Sequence, residues 1–413
     1  MLAACTSIYG RAATRPSGAA RPARSSGLVL KRYGVRMAQS RRAWLDVLAA
    51  VFAASLAWAC SSTRSGGSND SNQSGASSGG STENSASTGG VGFTTPGTGG
   101  TSGALASAGN APASAGASGV RRIFYLDVQG SVRVFDEDDR IPRTLVSAAG
   151  KGPDGIVVDV EGGHLYWTTM GVPADNDGAL LRAELDGSNV TTIVPAGGSY
   201  TPKQLKLDLG EKRLYWSDRE GMRIQRANVD GSELETLVTA ATGDRARKDA
   251  ENWCVGLALD LAHGFVYWTQ KGPDNGMVGS IRRAHLQMPD GETASTRADI
   301  EVLIEQLPEP VDLDLDVAGG QMYWTDRGDD TVNRAPIEIP SGKTAATRTD
   351  REILVRGVRE AIGVTLDLER AHVYYTSGAS GRVGRANLDG SGAVDLVTGT
   401  GALTGIAVVP TGR

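Results

Sequence analysis

The sequence has only three cysteines, Cys5, Cys60 and Cys254, which excludes a disulfide framework in the folded part. Cys254 alone falls in that part, and we expect it to be a small buried apolar residue rather than a reactive thiol. Basic residues are also scarce after the N-terminus. The first 59 residues hold nine of the 42 Lys and Arg but one of the 47 acids, which leaves 33 against 46. So acidic a chain is not expected to bind nucleic acid, which requires basic residues to neutralise phosphates.

Catalytic and cofactor motifs are missing as well. The four histidines have no acidic or cysteine partner at metal-ligand spacing, and no Ser-His-Asp or Cys-His arrangement can be inferred. Residues 341–344 read Ser-Gly-Lys-Thr, but the earlier Gly of a phosphate loop is replaced by Ile337. Gly399-Thr-Gly401 lacks the third Gly of a dinucleotide fingerprint. We therefore expect no cofactor, and an enzyme is the less favoured prediction.

Large apolar residues are nearly absent between Cys60 and residue 119, where Ser, Gly, Thr, Ala and Asn dominate. Such a segment cannot bury enough surface to offset its chain entropy, so it is predicted to be a linker. The chain thus divides into an N-terminal extension that precedes the true start (1–36), a signal peptide (37–60), a Ser/Gly-rich linker (61–119) and one folded domain (120–413).

The signal segment contains Arg41-Arg42, an apolar run over residues 44–59 and the ending Leu-Ala-Trp-Ala-Cys at 56–60. It resembles a bacterial lipoprotein signal, and the resemblance implies that Cys60 is lipidated and becomes the mature N-terminus. Trp58 departs from that pattern, which prefers a small residue there. A plain cleaved signal and an uncleaved anchor helix are the alternatives. The prediction is an exported protein of the cell envelope, held to the membrane by a lipid only.

Internal repetition is the strongest pattern in the chain. Five aromatic pairs recur at intervals of 49 to 56 residues, and an Asp lies seven residues before each. The pairs are Tyr166-Trp167, Tyr215-Trp216, Tyr267-Trp268, Tyr323-Trp324 and Tyr374-Tyr375, and the acids are Asp159, Asp208, Asp260, Asp316 and Asp367. Residues that recur at the same place in five repeats are predicted to support the fold of every repeat and not to form a single active site.

Each repeat reads as four short antiparallel strands. Three copies carry an Asp-Gly-Ser turn, at Asp186, Asp230 and Asp389, and Asp-Gly between short alternating runs is a strong hairpin pattern. A sixth unit is split, with residues 123–127 near the start of the domain and 405–409 at its end. The predicted fold is therefore an all-β, six-bladed β-propeller whose C-terminal strand completes the first blade.

Tyr-Trp-Thr-Asp at 323–326 and Tyr-Trp-Ser-Asp at 215–218 resemble the YWTD repeat, also called the low-density-lipoprotein receptor class B repeat. The resemblance covers residues 121–410. It implies a six-bladed propeller that is an extracellular binding module. The epidermal-growth-factor-like module that follows the propeller in animal receptors is missing, so receptor-style ligand release is not implied.

Function is predicted to lie where the repeats differ. Strand parity places the second-to-third and fourth-to-first connections of all blades on one face. Blades two and four have longer loops there and hold Thr169 and Gln270 in place of the motif Asp. The candidate ligand-binding residues on this face are Asp175, Asn176, Asp177, Lys203, Gln204, Arg219, Trp253, Asp274, Asn275, Glu309 and Arg327.

The favoured function is a non-enzymatic, monomeric binding module for a protein, peptide or glycan ligand. The alternative is a calcium-dependent hydrolase or lyase of the lactonase kind. It would require Asp175, Asn176, Asp274, Asn275 or Glu309 to converge as oxygen ligands at one point.

Overall fold

A computed structural model describes residues 119–173 and 175–411, and the predicted extension, signal peptide and nearly all of the linker lie outside these residues. Within them the chain forms six four-stranded antiparallel sheets, which confirms the predicted six-bladed propeller. No helix in this part is long and apolar enough to cross a membrane.

The strands follow one another blade by blade. Blade one contains β1 (Arg121–Asp127), β2 (Ser131–Asp136) and β3 (Arg143–Val146), and blade two contains β4 (Pro153–Asp159), β5 (His164–Thr169), β6 (Gly178–Glu184) and β7 (Thr191–Ser199). Blade three contains β8 (Pro202–Asp208), β9 (Arg213–Asp218), β10 (Arg223–Asn228) and β11 (Glu235–Thr239), and blade four contains β12 (Cys254–Asp260), β13 (Phe265–Gln270), β14 (Gly279–His285) and β15 (Glu301–Leu307). Blade five contains β16 (Pro310–Asp316), β17 (Gln321–Asp326), β18 (Thr331–Pro336) and β19 (Glu352–Arg356), and blade six contains β20 (Ala361–Asp367), β21 (His372–Ser377), β22 (Arg382–Asn387) and β23 (Val394–Val397).

The last strand, β24 (Leu403–Pro410), closes the ring. It pairs with β1 in antiparallel register, with Ile123 opposite Val408 and Tyr125 opposite Ile406. The innermost strand of each blade is here called the inner strand; it is β24 in blade one and β4, β8, β12, β16 and β20 in blades two to six. Each inner strand contacts the inner strands of both neighbouring blades all round the ring. Closure leaves no open sheet edge between first and last blade, as predicted.

The apolar core is divided into six clusters, one at each interface between neighbouring blades. Successive residues of a strand point to opposite faces of the sheet, so the two rings of an aromatic pair enter different clusters. Trp216 packs between blades two and three, whereas Tyr215 packs between blades three and four. In blades two, three, four and six, the aromatic pair therefore packs against both neighbouring blades.

The hydroxyl that follows the aromatic pair links each blade to the next. Thr269 Oγ1 accepts from the backbone N–H of Gly256 in its own inner strand (2.7 Å) and donates to the carbonyl of Val311 in the next (2.7 Å). The hydroxyls of the other repeats donate across the same kind of interface: Thr168 to Lys203, Ser217 to Val255, Thr325 to Ile362 and Thr376 to Thr404. Blade one has Leu126 at this position, and Thr404 of β24 donates to Pro153 instead (2.8 Å).

The five repeated Asp residues are turn caps. Asp159 Oδ1 accepts from the backbone N–H of Gly162 (2.7 Å), and Asp316 Oδ1 accepts from that of Gly319 (2.8 Å). The scaffold interpretation of this ring is confirmed. The predicted Asp-Gly-Ser hairpins are confirmed as well, because Gly187, Gly231 and Gly390 have φ between 84° and 86° and the preceding Asp caps each turn.

Two longer connections on blades four and five share a pattern that the sequence reading missed. They read Pro-x-Gly-x-Thr-Ala-x-Thr-Arg-x-Asp at 289–299 and 340–350. Arg297 and Arg348 each pair with the Asp two residues later and donate backward to the outer strand of the preceding blade, to the carbonyls of Leu237 (2.8 Å) and Leu303 (3.0 Å). The segment that superficially resembles a phosphate loop is thus part of a clasp between blades.

We predict that Thr325→Val lowers the free energy of unfolding by about 1–3 kcal/mol, because it leaves two buried backbone groups without their partner. These are the N–H of Asp312 (3.0 Å from Oγ1) and the carbonyl of Ile362 (2.6 Å). Urea denaturation measures the change, with the exposed Thr398→Val as the matched control. Equal midpoints for the two variants would contradict the assigned role.

Candidate functional site

The connections predicted to share a face do so, and we call this end of the propeller the upper face. Across it, Lys271, at the start of the β13–β14 connection, pairs with Glu309 in the connection that leads from blade four to blade five. The one-to-two turns and the Asp-Gly-Ser hairpins lie at the opposite, lower face. All candidate ligand-binding residues are therefore on or beneath the upper face.

The motif Asp of blades three and five is structural. Asp218 is fully buried and accepts from the backbone N–H groups of Tyr200 (3.0 Å) and Thr201 (2.8 Å), in the connection that precedes β8. Asp326 accepts from Glu309 in the same way (2.9 Å). In blade four Gln270 donates to the carbonyl of Glu251 instead (2.9 Å). In blade four, where Gln270 replaces the motif Asp, the connection that leads into the inner strand therefore follows a different path.

A polar group between blades two and three is almost fully buried. Lys203 forms an ion pair with Asp154, and Gln204 donates to the other oxygen of that carboxylate (3.1 Å). Burial lowers the pKa of Lys203, and the Asp154 charge opposes this only in part. Lys203 and Gln204, two of the residues predicted to bind a ligand, thus bind Asp154 instead. Asp154 was not among the predicted site residues.

The connection between blades three and four forms a small insert over the upper face, residues 240–253. It contains α1 (Asp244–Arg247) and a 3₁₀ turn, Ala250–Asn252. Arg247 lies over the ring of Tyr200, 3.7 Å from its centroid, and donates to the carbonyl of Glu220. The insert also holds the next loop, since Gly272 N–H donates to Ala250 (3.1 Å). The sequence reading noted only the end of this segment.

The half-buried Trp253 ends the insert and is flanked by two cations. The Arg219 guanidinium lies 5.0 Å and the Lys271 ammonium 5.6 Å from the indole centroid. The indole N–H donates to the carbonyl of Arg247 (2.8 Å), which fixes the ring. Arg219 also pairs with buried Glu220, with Nη2 2.7 Å from Oε1. We call Trp253, Arg219 and Lys271 the Trp253 cluster.

A second charged group joins blades four and five. The Glu309 carboxylate is buried and lies 2.6 Å from both Lys271 Nζ and Arg327 Nε. Asp274 bridges the same two cations from the outside, at 3.0 and 2.9 Å. The structure therefore brings Asp274, Glu309 and Arg327 together and connects them to the Trp253 cluster through Lys271.

The remaining candidates do not join these groups in the contacts of the described residues. Asp177 braces its own loop, accepting from the N–H of Val172 (2.6 Å) and lying 3.4 Å from Lys151. Asp175 and Asn275 are exposed, and Asn176 and Asn275 adopt positive φ at the tips of their loops. Next to Asn275, Met277 and Val278 expose about half of their surface to solvent.

Among the described residues, no group of three or more His, Cys, Asp or Glu side chains is arranged to hold a metal ion. Cys254 is buried, and burial raises the pKa of its thiol to about 12, which makes it inert as predicted. Cys60 lies outside the described residues.

Together, the fold and the repeat define a closed six-bladed propeller of the YWTD type. A protein of Pyricularia oryzae named low-density lipoprotein receptor-related protein 1 is 39% identical over 311 residues, covering 70% of this chain and 98% of the relative. The chain therefore belongs to the low-density-lipoprotein receptor-related family of YWTD propellers. No protein-family model matches it.

Two further similarities were found. A 3-hydroxyacyl-CoA dehydrogenase-like protein of Cochliobolus heterostrophus is 38% identical over 300 residues; the match covers 67% of this chain and 62% of that protein. Among solved structures, a chain from a nidogen/laminin complex is similar with a TM-score of 0.54 and 21% identity, over 70% of this chain and 98% of that chain. At this identity, the latter shows a shared fold.

The buried Asp326 provides a test of the site's electrostatics. Burial, with the neighbouring Asp329 charge, raises the pKa of its carboxyl to about 7. Between pH 4 and 7 the folded carboxyl thus keeps a proton that the unfolded one has released, so stability falls as pH rises through this window. One pKa unit corresponds to about 1.4 kcal/mol, so a shift of about three units corresponds to a loss on the order of 4 kcal/mol across the whole window.

Asp326→Asn keeps the acceptor for the N–H groups of Glu309 and Gly328 and removes the titration. Urea unfolding at pH 5 and pH 7.5 should therefore show a shallower pH dependence for the variant than for the native protein. Contributions from Asp312 and His372 are common to both proteins and cancel in the comparison. Identical slopes would show that Asp326 ionises as it does in the unfolded chain.

Proposed function

We propose that this protein is an exported, lipid-anchored binding module of the cell envelope that recognises a protein or peptide ligand on its upper face, centred on the Trp253 cluster. The observation that carries the proposal is the half-buried indole held between Arg219 and Lys271. Trp and Arg are the residues most often found at the energetic centres of protein interfaces, where a rigid aromatic ring buries much area at little cost in entropy.

The surroundings of the cluster support a protein or peptide ligand rather than a small molecule. The neighbouring loop exposes Met277 and Val278, and Asp274 at the rim is exposed and charged. An apolar centre with a charged rim is the usual anatomy of a protein interface. The structurally similar chain from the nidogen/laminin complex also belongs to a protein that forms a complex with another protein.

Nothing specific favours the hydrolase alternative. Asp274 and Glu309 meet around Lys271 and Arg327, which neutralise them, whereas Asp175 and Asn176 belong to the loop of blade two. Dehydrogenase chemistry is not proposed either. The match covers only 62% of the dehydrogenase-like relative. The sheets in the described part of this chain contain antiparallel strands only.

We predict that Trp253→Ala reduces capture of the partner from an envelope extract by at least about tenfold, the equivalent of ~1.4 kcal/mol. Ile141→Ser is the matched control, since Ile141 is 69% exposed at the lower face. Thermal unfolding of both variants verifies the fold. Equal capture by the two variants would contradict the proposed centre. Reversing the charge of Arg219 or Arg327 is a poorer test, because each is paired with a buried glutamate.

The lipid anchor is tested separately. Replacing Cys60 with Ala should release the protein from the membrane fraction and abolish palmitate labelling, because stable anchoring depends on the attached acyl chains. Labelling of the Cys60→Ala protein would show that the lipid is attached elsewhere, without affecting the proposal for the upper face.

A further inference from the structure

Blade four contains an arginine, Arg282 on β14, that has no acidic partner among the described residues. Its Nε atom donates to Ser280 Oγ (3.0 Å), and no carboxylate of residues 119–173 or 175–411 lies within ion-pair distance of its guanidinium group. The side chain is partly buried, and burial lowers the pKa of Arg282, which the exposed Glu305 offsets only in part. A cation that is removed from water without a counter-charge is unfavourable, so this position favours an anion.

The same local pattern occurs in blade one, where the charge is neutralised. Arg133 occupies the position of Arg282, and its Nε atom also bonds to the Ser hydroxyl two residues earlier (3.4 Å). There the carboxylate of Asp127, on the neighbouring strand, lies 3.6 Å from Arg133 Nη2. In blade four the position of Asp127 is held by Gln270. The loss of the motif Asp therefore leaves Arg282 without the counter-charge that Arg133 has.

A second donor lies beside Arg282. Trp268 is directly opposite Arg282 in the pairing of β13 with β14, and residues so placed have Cβ atoms about 5 Å apart on one face of the sheet. Trp268 is 1% exposed, and its indole N–H has no acceptor in the described part of the chain. The corresponding indoles of blades two and three donate to residues that precede the inner strand, to Ala149 (2.8 Å) and Ser199 (3.2 Å). In blade four this stretch is the insert, which follows a different path.

An unpaired acceptor completes the group. Gln270 lies two residues after Trp268 on β13 and thus on the same face of the sheet. It is 6% exposed, and its Oε1 atom has no donor among the described residues, whereas Nε2 is bonded to a backbone carbonyl of the insert. Blade five lacks this combination, because its Trp324 lies opposite Asn333 and not opposite an arginine. We call Arg282, Trp268 and Gln270 the Arg282 site.

The three groups of the Arg282 site match a hydrogen phosphate ion in number and kind. The guanidinium of an arginine presents its donors in a planar fork that fits two phosphate oxygens, and the indole N–H can donate to a third. The P–O–H group of the ion can donate to the Oε1 atom of Gln270. A sulfate ion carries no proton at neutral pH and would leave this buried acceptor unpaired, which is unfavourable.

We infer that the Arg282 site, at the interface between blades three and four, binds a hydrogen phosphate ion. Arg282 and the indole N–H of Trp268 donate to its oxygens, and its own hydroxyl donates to Gln270. The partly exposed Arg282 is the point of entry from solvent. None of these residues belongs to the Trp253 cluster, so the inference is independent of the function proposed for the upper face.

Isothermal titration of the purified protein with sodium phosphate and with sodium sulfate tests the inference. At pH 6.5, where phosphate keeps a proton, phosphate should bind at least about tenfold more tightly than sulfate. Absence of phosphate binding would overturn the inference, and so would sulfate binding of equal strength.

Variants test the placement of the ion. Arg282→Gln should weaken phosphate binding at least about tenfold, because it removes the charged donor. Gln270→Asp should abolish binding, because it restores the carboxylate that pairs with the arginine in blade one and repels the ion. Arg133→Gln is the matched control and should leave the affinity unchanged.

Undiminished binding in Arg282→Gln or in Gln270→Asp would overturn the inference, and so would an equal loss in Arg133→Gln. Thermal unfolding verifies the fold of each variant. Gln270→Asp introduces the residue that blades one, three and five already have at this position, so it keeps the inference falsifiable even if Arg282→Gln fails to fold.

Discussion

Each blade is joined to the next by one side-chain hydroxyl, and the remainder of the propeller depends on this bond. In four blades the hydroxyl accepts a backbone N–H from its own inner strand and donates to a carbonyl of the next inner strand. Inner-strand groups that face a neighbouring blade rather than a paired strand would otherwise be buried without partners. The bond fixes the position of each blade along the propeller axis relative to the next blade. It thereby aligns the six upper connections on one face and the six turns between the first and second strands on the other.

This constraint explains why the repeated residues carry little functional information. The aromatic pair, the hydroxyl and the capping Asp are each engaged within or between blades, as Tyr215, Trp216 and Asp208 illustrate. The blades differ in the side chains outside these repeated positions. Blades three and five carry polar residues in their inner strands, Lys206 and Asp314 among them, and the insert before blade four carries Trp253. The upper face is therefore a product of variation on a common scaffold.

Much of the fold could be predicted from sequence because its determinants are local or periodic. The Asp-Gly-Ser hairpins follow from the φ that Gly187 must adopt, and closure by β24 follows from the split sixth repeat. Strand parity was sufficient to assign the candidate residues to one face. Which residues meet was not predictable, because the pairing of Lys203 with Asp154 or of Lys206 with Asp314 joins residues that lie on different blades and far apart in sequence. The repeated arginine clasp was visible as a pattern at 289–299 and 340–350, but its contacts with the preceding blade were not.

The central claim is that the six blades form one cooperative ring held by the hydroxyl bonds between inner strands. Native-state hydrogen exchange tests it most directly at the backbone N–H groups that donate to these hydroxyls, those of Gly155, Gly256, Asp312 and Gly363. The account predicts that all four exchange only through global unfolding and give the same free energy of opening. Distinctly lower protection of one of them would mean that its blade opens alone, and would contradict the claim.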